Sequence, residues 1–166
     1  MGGLLYAAIT ETIMAFYRAS TVEDCETLAP IMRKADAREV YASGGYTPLD
    51  ALLLSLECAT ECNTIIHDDK VIGMFGVGDC EESGNGIPWM LASEEINDIS
   101  LQFLRESRYW IKRVQKNYPL LYNYVAAENT VAVQWLRFLG FKFIREIEDF
   151  MDGGLTFYEF VRIKDV

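Results

Sequence analysis

The chain has 166 residues, with 15 lysines and arginines against 25 aspartates and glutamates, which gives a formal net charge of −10. This length suits a single domain, and a hydrophobic content of 51% with 13% aromatic residues is enough for a sizeable core. Nucleic-acid binders and proteins attracted to anionic membranes need basic surfaces, so the acidic balance argues against both classes.

Targeting and metal-binding signals are weak in this sequence. No apolar stretch approaches the roughly 20 residues that span a bilayer, and the first ten residues, MGGLLYAAIT, lack the basic residues of a secretory signal. Residues 1–11 are predicted to be a leader and residues 12–166 a single domain. Cys58, Cys62 and His67 match no spacing typical of zinc sites, so we expect free thiols and no bound metal.

The first half of the chain predicts three helices and four strands. Ser20 or Thr21 is expected to cap a helix that breaks near Pro30, because proline lacks an N–H and clashes with the preceding turn. Thr47 followed by Pro48 is typical of a helix start. The predicted elements are a strand over 12–19, helices over 21–29, 31–41 and 47–60, and strands over 63–66, 71–77 and 87–92.

The second half predicts two more helices and three more strands. Pro119 stops a long helix, Asn129 is expected to cap a short one, and Gly140 suits its left-handed end. The predicted elements are a helix over 100–117, a strand over 120–127, a helix over 129–139, and strands over 141–147 and 155–163. This order predicts an α/β fold with a mixed, mostly antiparallel central sheet and helices on both faces.

The stretch from Asn129 to Phe141 reads NTVAVQWLRFLGF, with an alanine three residues after the asparagine and a Gly-Phe pair eleven and twelve residues after it. This spacing resembles the late signature of the GNAT superfamily, whose members transfer an acyl group from coenzyme A to an amine. The predicted order of elements also resembles the GNAT order over residues 12–163. LLYNYVAAENTVAVQWLRFLGFKF and IPWMLASEEI are further similar to small GNAT-like proteins of short-tailed phages, which include an internal virion protein and acyltransferases.

The resemblance implies acetyl-CoA as cosubstrate and a set of residues that would hold it. A splayed strand would offer backbone groups to the pantetheine amides at Trp89, Met90 and Leu91. Asn129 and Ala132, at the start of the following helix, would lie beside the pantetheine arm. The same five residues are equally compatible with an ordinary core strand and a capped core helix.

The family's usual general acid is a tyrosine seven residues after the asparagine, and Leu136 stands there. Leucine cannot donate a proton, so Tyr122 and Tyr124 on the preceding strand are the alternative acids. Glu82, with its neighbour Glu81, is the candidate base. Each also has a structural interpretation, because strand tyrosines usually lie in the core and loop carboxylates in solvent.

The segment Ser93–Ser100 stands where the family has a glycine-rich turn for the pyrophosphate of coenzyme A. It contains no glycine and no basic residue, and Glu94, Glu95 and Asp98 would repel a diphosphate. Two hypotheses therefore stay open. The protein is either an acetyltransferase for an unknown amine acceptor, or a GNAT-fold protein without catalysis that acts in a phage virion or binds a protein partner. The expected location is the virion or the host cytoplasm.

Overall fold

The computed structural model describes residues 14–164, and the predicted leader lies outside them. The mixed α/β fold with its mostly antiparallel sheet is confirmed. None of the helices in the described range is long and apolar enough to cross a membrane. The elements are β1 (Phe16–Ala19), α1 (Val22–Leu28), α2 (Lys34–Ala42), α3 (Pro48–Cys58), β2 (Ala59–His67), β3 (Lys70–Cys80), β4 (Asn85–Ala92), α4 (Ser100–Gln115), β5 (Leu120–Ala126), α5 (Thr130–Phe138), β6 (Lys142–Ile147) and β7 (Phe157–Ile163).

The seven strands form one sheet in the order β1-β2-β3-β4-β5-β7-β6. All neighbours are antiparallel except β4 and β5, which are parallel and share a single residue pair, Gly86 with Leu121. Gly86 is required at this closed end, because a Cβ there would lie 2.6 Å from the Leu121 side chain. Beyond this pair the two strands diverge.

Pro88 explains why the β4–β5 ladder stops. The Ser93 N–H donates to the Ile72 carbonyl of β3. Because backbone groups alternate in direction along a strand, Pro88, Met90 and Ala92 direct theirs towards β5. Proline has no N–H to donate at that place. The side chain of Asn123 instead donates to the Pro88 carbonyl at 3.0 Å, and past this bond a cleft opens.

Helices cover both faces of the sheet. Helices α4 and α5 pack on one face, where Trp110, Ile111 and Val133 meet β-strand residues such as Val125 and Phe160. Helices α1 and α3 cover the other face, around the fully buried side chains Leu28, Leu52 and Met74. Helix α2 lies on this second face, and its last residue, Ala42, packs on Ala126 and Phe157.

Several local predictions are confirmed. Thr21 caps α1 in a capping box with Asp24, Thr47 caps α3, and Gly140 ends α5 with a φ of 86°. Other boundaries differ by a few residues. Helix α2 begins at Lys34 rather than residue 31, because Met32 forms an isolated bridge with Ser93 at the end of β4.

The predicted cap of α5 is wrong in one respect. Asn129 occupies the N-cap position, but its side chain makes no capping hydrogen bond. The amide instead turns towards α2, where two carboxylates accept from it. This orientation of the Asn129 side chain matters for the site, because it joins α5 to α2 across the cleft between β4 and β5.

Candidate functional site

A cavity of about 430 Å³ passes through the cleft between β4 and β5. Side chains from both helix layers line it, with Tyr46 and Leu54 exposed on the α2–α3 side and Phe16 and Tyr17 exposed on β1. Its volume lies in the range of small-molecule sites. The cavity therefore joins the two faces of the sheet at the point where the backbone ladder is missing.

Met90 presents open backbone groups to this cavity. Its N–H and C=O point towards β5, as those of Ala92 do. Because β4 pairs with β5 only through Gly86, no strand backbone bonds to these groups of Met90. The backbone groups of its neighbours Trp89 and Leu91 face β3 instead, and only their side chains line the cavity. Met90 is thus the β4 residue that could bond an extended ligand lying in the cleft.

A buried polar cluster closes the far end of the cleft. Arg33, Asp36 and Asn129 are each less than 5% exposed. Asp36 accepts from the Arg33 guanidinium at 2.6 and 3.0 Å, from the Ala92 N–H at 3.1 Å and from Asn129 Nδ2 at 3.2 Å. The Arg33 N–H also donates to the Ala92 carbonyl. Both cleft-facing backbone groups of Ala92 are therefore occupied by the chain itself.

Glu39 lies one turn further along α2 and lines the cavity. Its Oε2 accepts from the Ala126 N–H at 2.9 Å and from Asn129 Nδ2 at 3.1 Å. The other carboxylate oxygen, Oε1, takes part in neither of these bonds. Burial raises the pKa of the Glu39 carboxyl to about 7, against the two hydrogen bonds that favour its charged form.

The predicted acid and base residues occupy three different places. Tyr124 lines the cavity on the α2 side, and its ring lies 4.9 Å from that of Phe150. Tyr122 lies on the same strand but does not line the cavity, and its hydrogen bond with Cys80 raises its pKa to about 12. Glu82 is exposed in the turn before β4, at the closed end of the cleft.

Solved structures establish what this architecture is. No family model matches the chain, and no curated protein matches it significantly. An N-acetyltransferase from Staphylococcus aureus superposes with a TM-score of 0.67 at 14% identity, covering 92% of this chain and 99% of its own. GNAT-family acetyltransferases from Bacillus anthracis (TM-score 0.66, 11% identity, 92% and 98% covered) and Streptococcus pneumoniae (0.61, 13%, 92% and 100%) superpose similarly. The chain has the GNAT fold. At these identities the likeness shows the fold and leaves the reaction to the site's own chemistry.

The structure brings three of the residues that the GNAT resemblance assigns to the pantetheine arm, Met90, Asn129 and Ala132, to the same cavity. The open backbone of Met90 suits a pantetheine amide, and Ala132 lines the cavity from α5. Asn129, by contrast, already gives its amide to Asp36 and Glu39. Of these residues, Met90 has open backbone groups, whereas the Asn129 amide is already bonded within the chain.

The region of the GNAT phosphate turn remains unsuited to a diphosphate. Residues Glu94–Ile99 form a 3-10 helix that leads directly into α4. Glu95 is held by the Ser93 hydroxyl and Lys70, while Glu94 and Asp98 are exposed. In the described range no group of three or more histidine, cysteine, aspartate or glutamate side chains is placed to hold a metal ion.

The sequence reasoning missed Arg33, Asp36 and Glu39. They follow one another at three-residue intervals, a spacing that places side chains on one face of a helix. An Arg-x-x-Asp-x-x-Glu pattern usually indicates a solvated helix face, and nothing local distinguishes it from one. The missing signal was Pro88, which indicates where β4 loses its ladder and where backbone groups need side-chain partners.

Proposed function

We propose that the protein is an acyltransferase that moves an acyl group from a coenzyme A thioester to an amine. The observation that carries this proposal is that one cavity is lined both by Met90, with its open backbone groups, and by Glu39, whose Oε1 takes part in neither of the carboxylate's hydrogen bonds. The first would hold the donor's pantetheine amides, and the second would act on the acceptor. Acetyl-CoA is the simplest donor that the GNAT fold suggests.

Glu39 supplies the proton chemistry in this proposal. The amine nitrogen forms a bond to the thioester carbonyl carbon, the C–S bond breaks, and the amine releases one proton. Oε1 of Glu39 takes that proton as general base, and a carboxyl whose pKa is about 7 suits both taking and returning it near neutral pH. The proton then passes to the leaving thiolate, with Tyr124 as the alternative donor, so no tyrosine is needed at Leu136.

A second candidate function has a specific observation in its favour. Asp36 and Glu39 occupy the Asn129 amide, a group that the GNAT resemblance assigns to the donor. Together with Leu136 and the acidic turn, this favours a non-catalytic protein that binds a protein partner. The similarity to phage sequences suggests other virion proteins as that partner, in the virion or the host cytoplasm.

Thiol release from acetyl-CoA in the presence of a panel of small amines and peptide N-termini separates the two functions. We expect the wild-type protein to release coenzyme A, and Glu39→Gln to lower kcat about 100-fold with the KM for the donor unchanged. Glu57→Gln, an exposed carboxylate on α3, is the matched control and should retain activity. A wild-type protein that releases no thiol with any acceptor would favour the non-catalytic role.

A further inference from the structure

The part of the cavity on the α4–α5 side, called here the inner compartment, has an aromatic and aliphatic wall. Its lining side chains are Phe75, Phe103, Trp110, Trp135, Leu136 and Phe160. The rings contact one another, with centroid distances of 5.1 Å between Phe75 and Trp110 and 4.9 Å between Phe103 and Trp135. These contacts fix the rings and give the compartment a defined shape.

Two polar side chains beside the inner compartment are bonded within the chain. Trp110 donates its indole N–H to Glu61 at 2.8 Å. Gln102 donates its amide to the Ala15 carbonyl and to Oε1 of Glu106, and Glu106 and Ser107 also line the cavity. The aromatic and aliphatic wall is mostly hydrocarbon, and an apolar ligand gains by leaving water there.

The inner compartment belongs to a cavity whose whole volume, about 430 Å³, lies in the range of sites for drug-sized ligands, which are larger than an acetyl group. Leu136 fits the same interpretation, because it places an aliphatic side chain where the GNAT pattern has a hydroxyl. An apolar compartment in the same cavity as Met90 suits a chain of methylenes.

We propose that the inner compartment takes the acyl chain of the donor, and that this chain is longer than acetyl. The proposal rests on the proposed function for the identity of the donor, and it names the acyl class at the same site. Each buried methylene contributes about 0.8 kcal/mol, or about fourfold in affinity. Hexanoyl-CoA, with four methylenes more than acetyl-CoA, should bind about two hundredfold more tightly.

Isothermal titration with acetyl-, butanoyl-, hexanoyl- and octanoyl-CoA tests the proposal directly. Ala132→Phe fills the cavity from α5 and should abolish the gain with chain length, and Ala132→Leu serves if the larger side chain prevents folding. Gln134→Phe is the matched control on the same helix, because Gln134 is exposed and lies outside the cavity. The control should retain the wild-type dependence on chain length.

The outcomes distinguish this inference from the proposed function. Affinity that rises with chain length in the wild-type protein and the control, but not in the Ala132 variants, supports the inference. Equal affinity for all chain lengths overturns it while leaving acyl transfer intact, and so does a gain that survives at Ala132→Phe. Length-dependent binding without transfer to any amine would sustain the inference and count against the function. Absence of binding by every thioester would overturn both.

Discussion

Removing the Asp36 carboxylate should destabilise the protein more than removing any exposed carboxylate. Asp36 is 2% exposed and accepts four hydrogen bonds, two of them from a guanidinium that is itself 4% exposed. Asp36→Ala would leave the Arg33 charge buried without a partner. Such a loss costs about 3–5 kcal/mol, a large part of the roughly 5–15 kcal/mol that keeps a domain folded.

Two further variants isolate the cause of that loss. Adding Arg33→Met to Asp36→Ala removes the unpaired charge, so the double variant should recover part of the stability that the single variant loses. Glu128→Ala is the matched control, because Glu128 forms an ion pair with Arg38 in which both side chains are more than 40% exposed. Exposed pairs contribute about 0–1 kcal/mol.

Urea denaturation followed by circular dichroism gives the free energy of unfolding for each of these variants. The reasoning is refuted if Asp36→Ala loses less than about 1 kcal/mol, or no more than the Glu128 control. A double variant that is as unstable as Asp36→Ala would show that the unpaired guanidinium is not the cause. In that case the unsatisfied Ala92 N–H and Asn129 amide would account for the loss.

Three other predictions follow from the structure. Gly140→Val should cost about 1–3 kcal/mol in thermal denaturation, and Gly140→Asn less, because the φ of 86° is accessible to asparagine and strained for valine. Glu39 has a pKa raised to about 7, so the native state binds its proton more tightly than the unfolded chain. The melting temperature should therefore fall as pH rises from about 4.5 to about 7, and this fall should be smaller in Glu39→Gln. A variant whose melting temperature falls as much as that of the wild type would contradict the raised pKa of Glu39. Acetyl-CoA should bind with a Kd above about 100 μM in isothermal titration. A triple variant with Gly at positions 94 and 98 and Arg at position 95 should bind it about tenfold to a hundredfold more tightly. An unchanged Kd in that variant would show that this segment does not face the phosphates.

The sequence was sufficient to predict the fold because its signals are local. Caps such as Thr21 and Thr47, the stop at Pro119 and the left-handed Gly140 each act within a turn or two of chain, and the order of elements follows from them. The two helix layers then follow from which faces of the helices and strands are apolar. Errors occurred where a distant segment intervenes, as at Met32, whose bridge to Ser93 shortens α2.

The candidate site was less predictable, because its groups meet only in three dimensions. Asp36 and Ala92 are 56 positions apart, and Glu39 and Asn129 are 90 apart. A pattern of charges on a helix does not indicate whether that face meets solvent or a strand end. Met90 and Tyr124 were predicted from a family resemblance, and the structure places both at the cavity. The buried carboxylates of α2 had no such resemblance to indicate them.

The single residue pair between β4 and β5 divides the sheet into two parts, one of four strands and one of three. Beyond that pair, their separation is set by α2, through the bonds of Asp36 to Ala92 and of Glu39 to Ala126. Lengthening or shortening these side chains would change the width of the cleft while leaving every strand and its register intact. The width of the cleft is therefore adjustable from outside the sheet, by substitutions on one nine-residue helix.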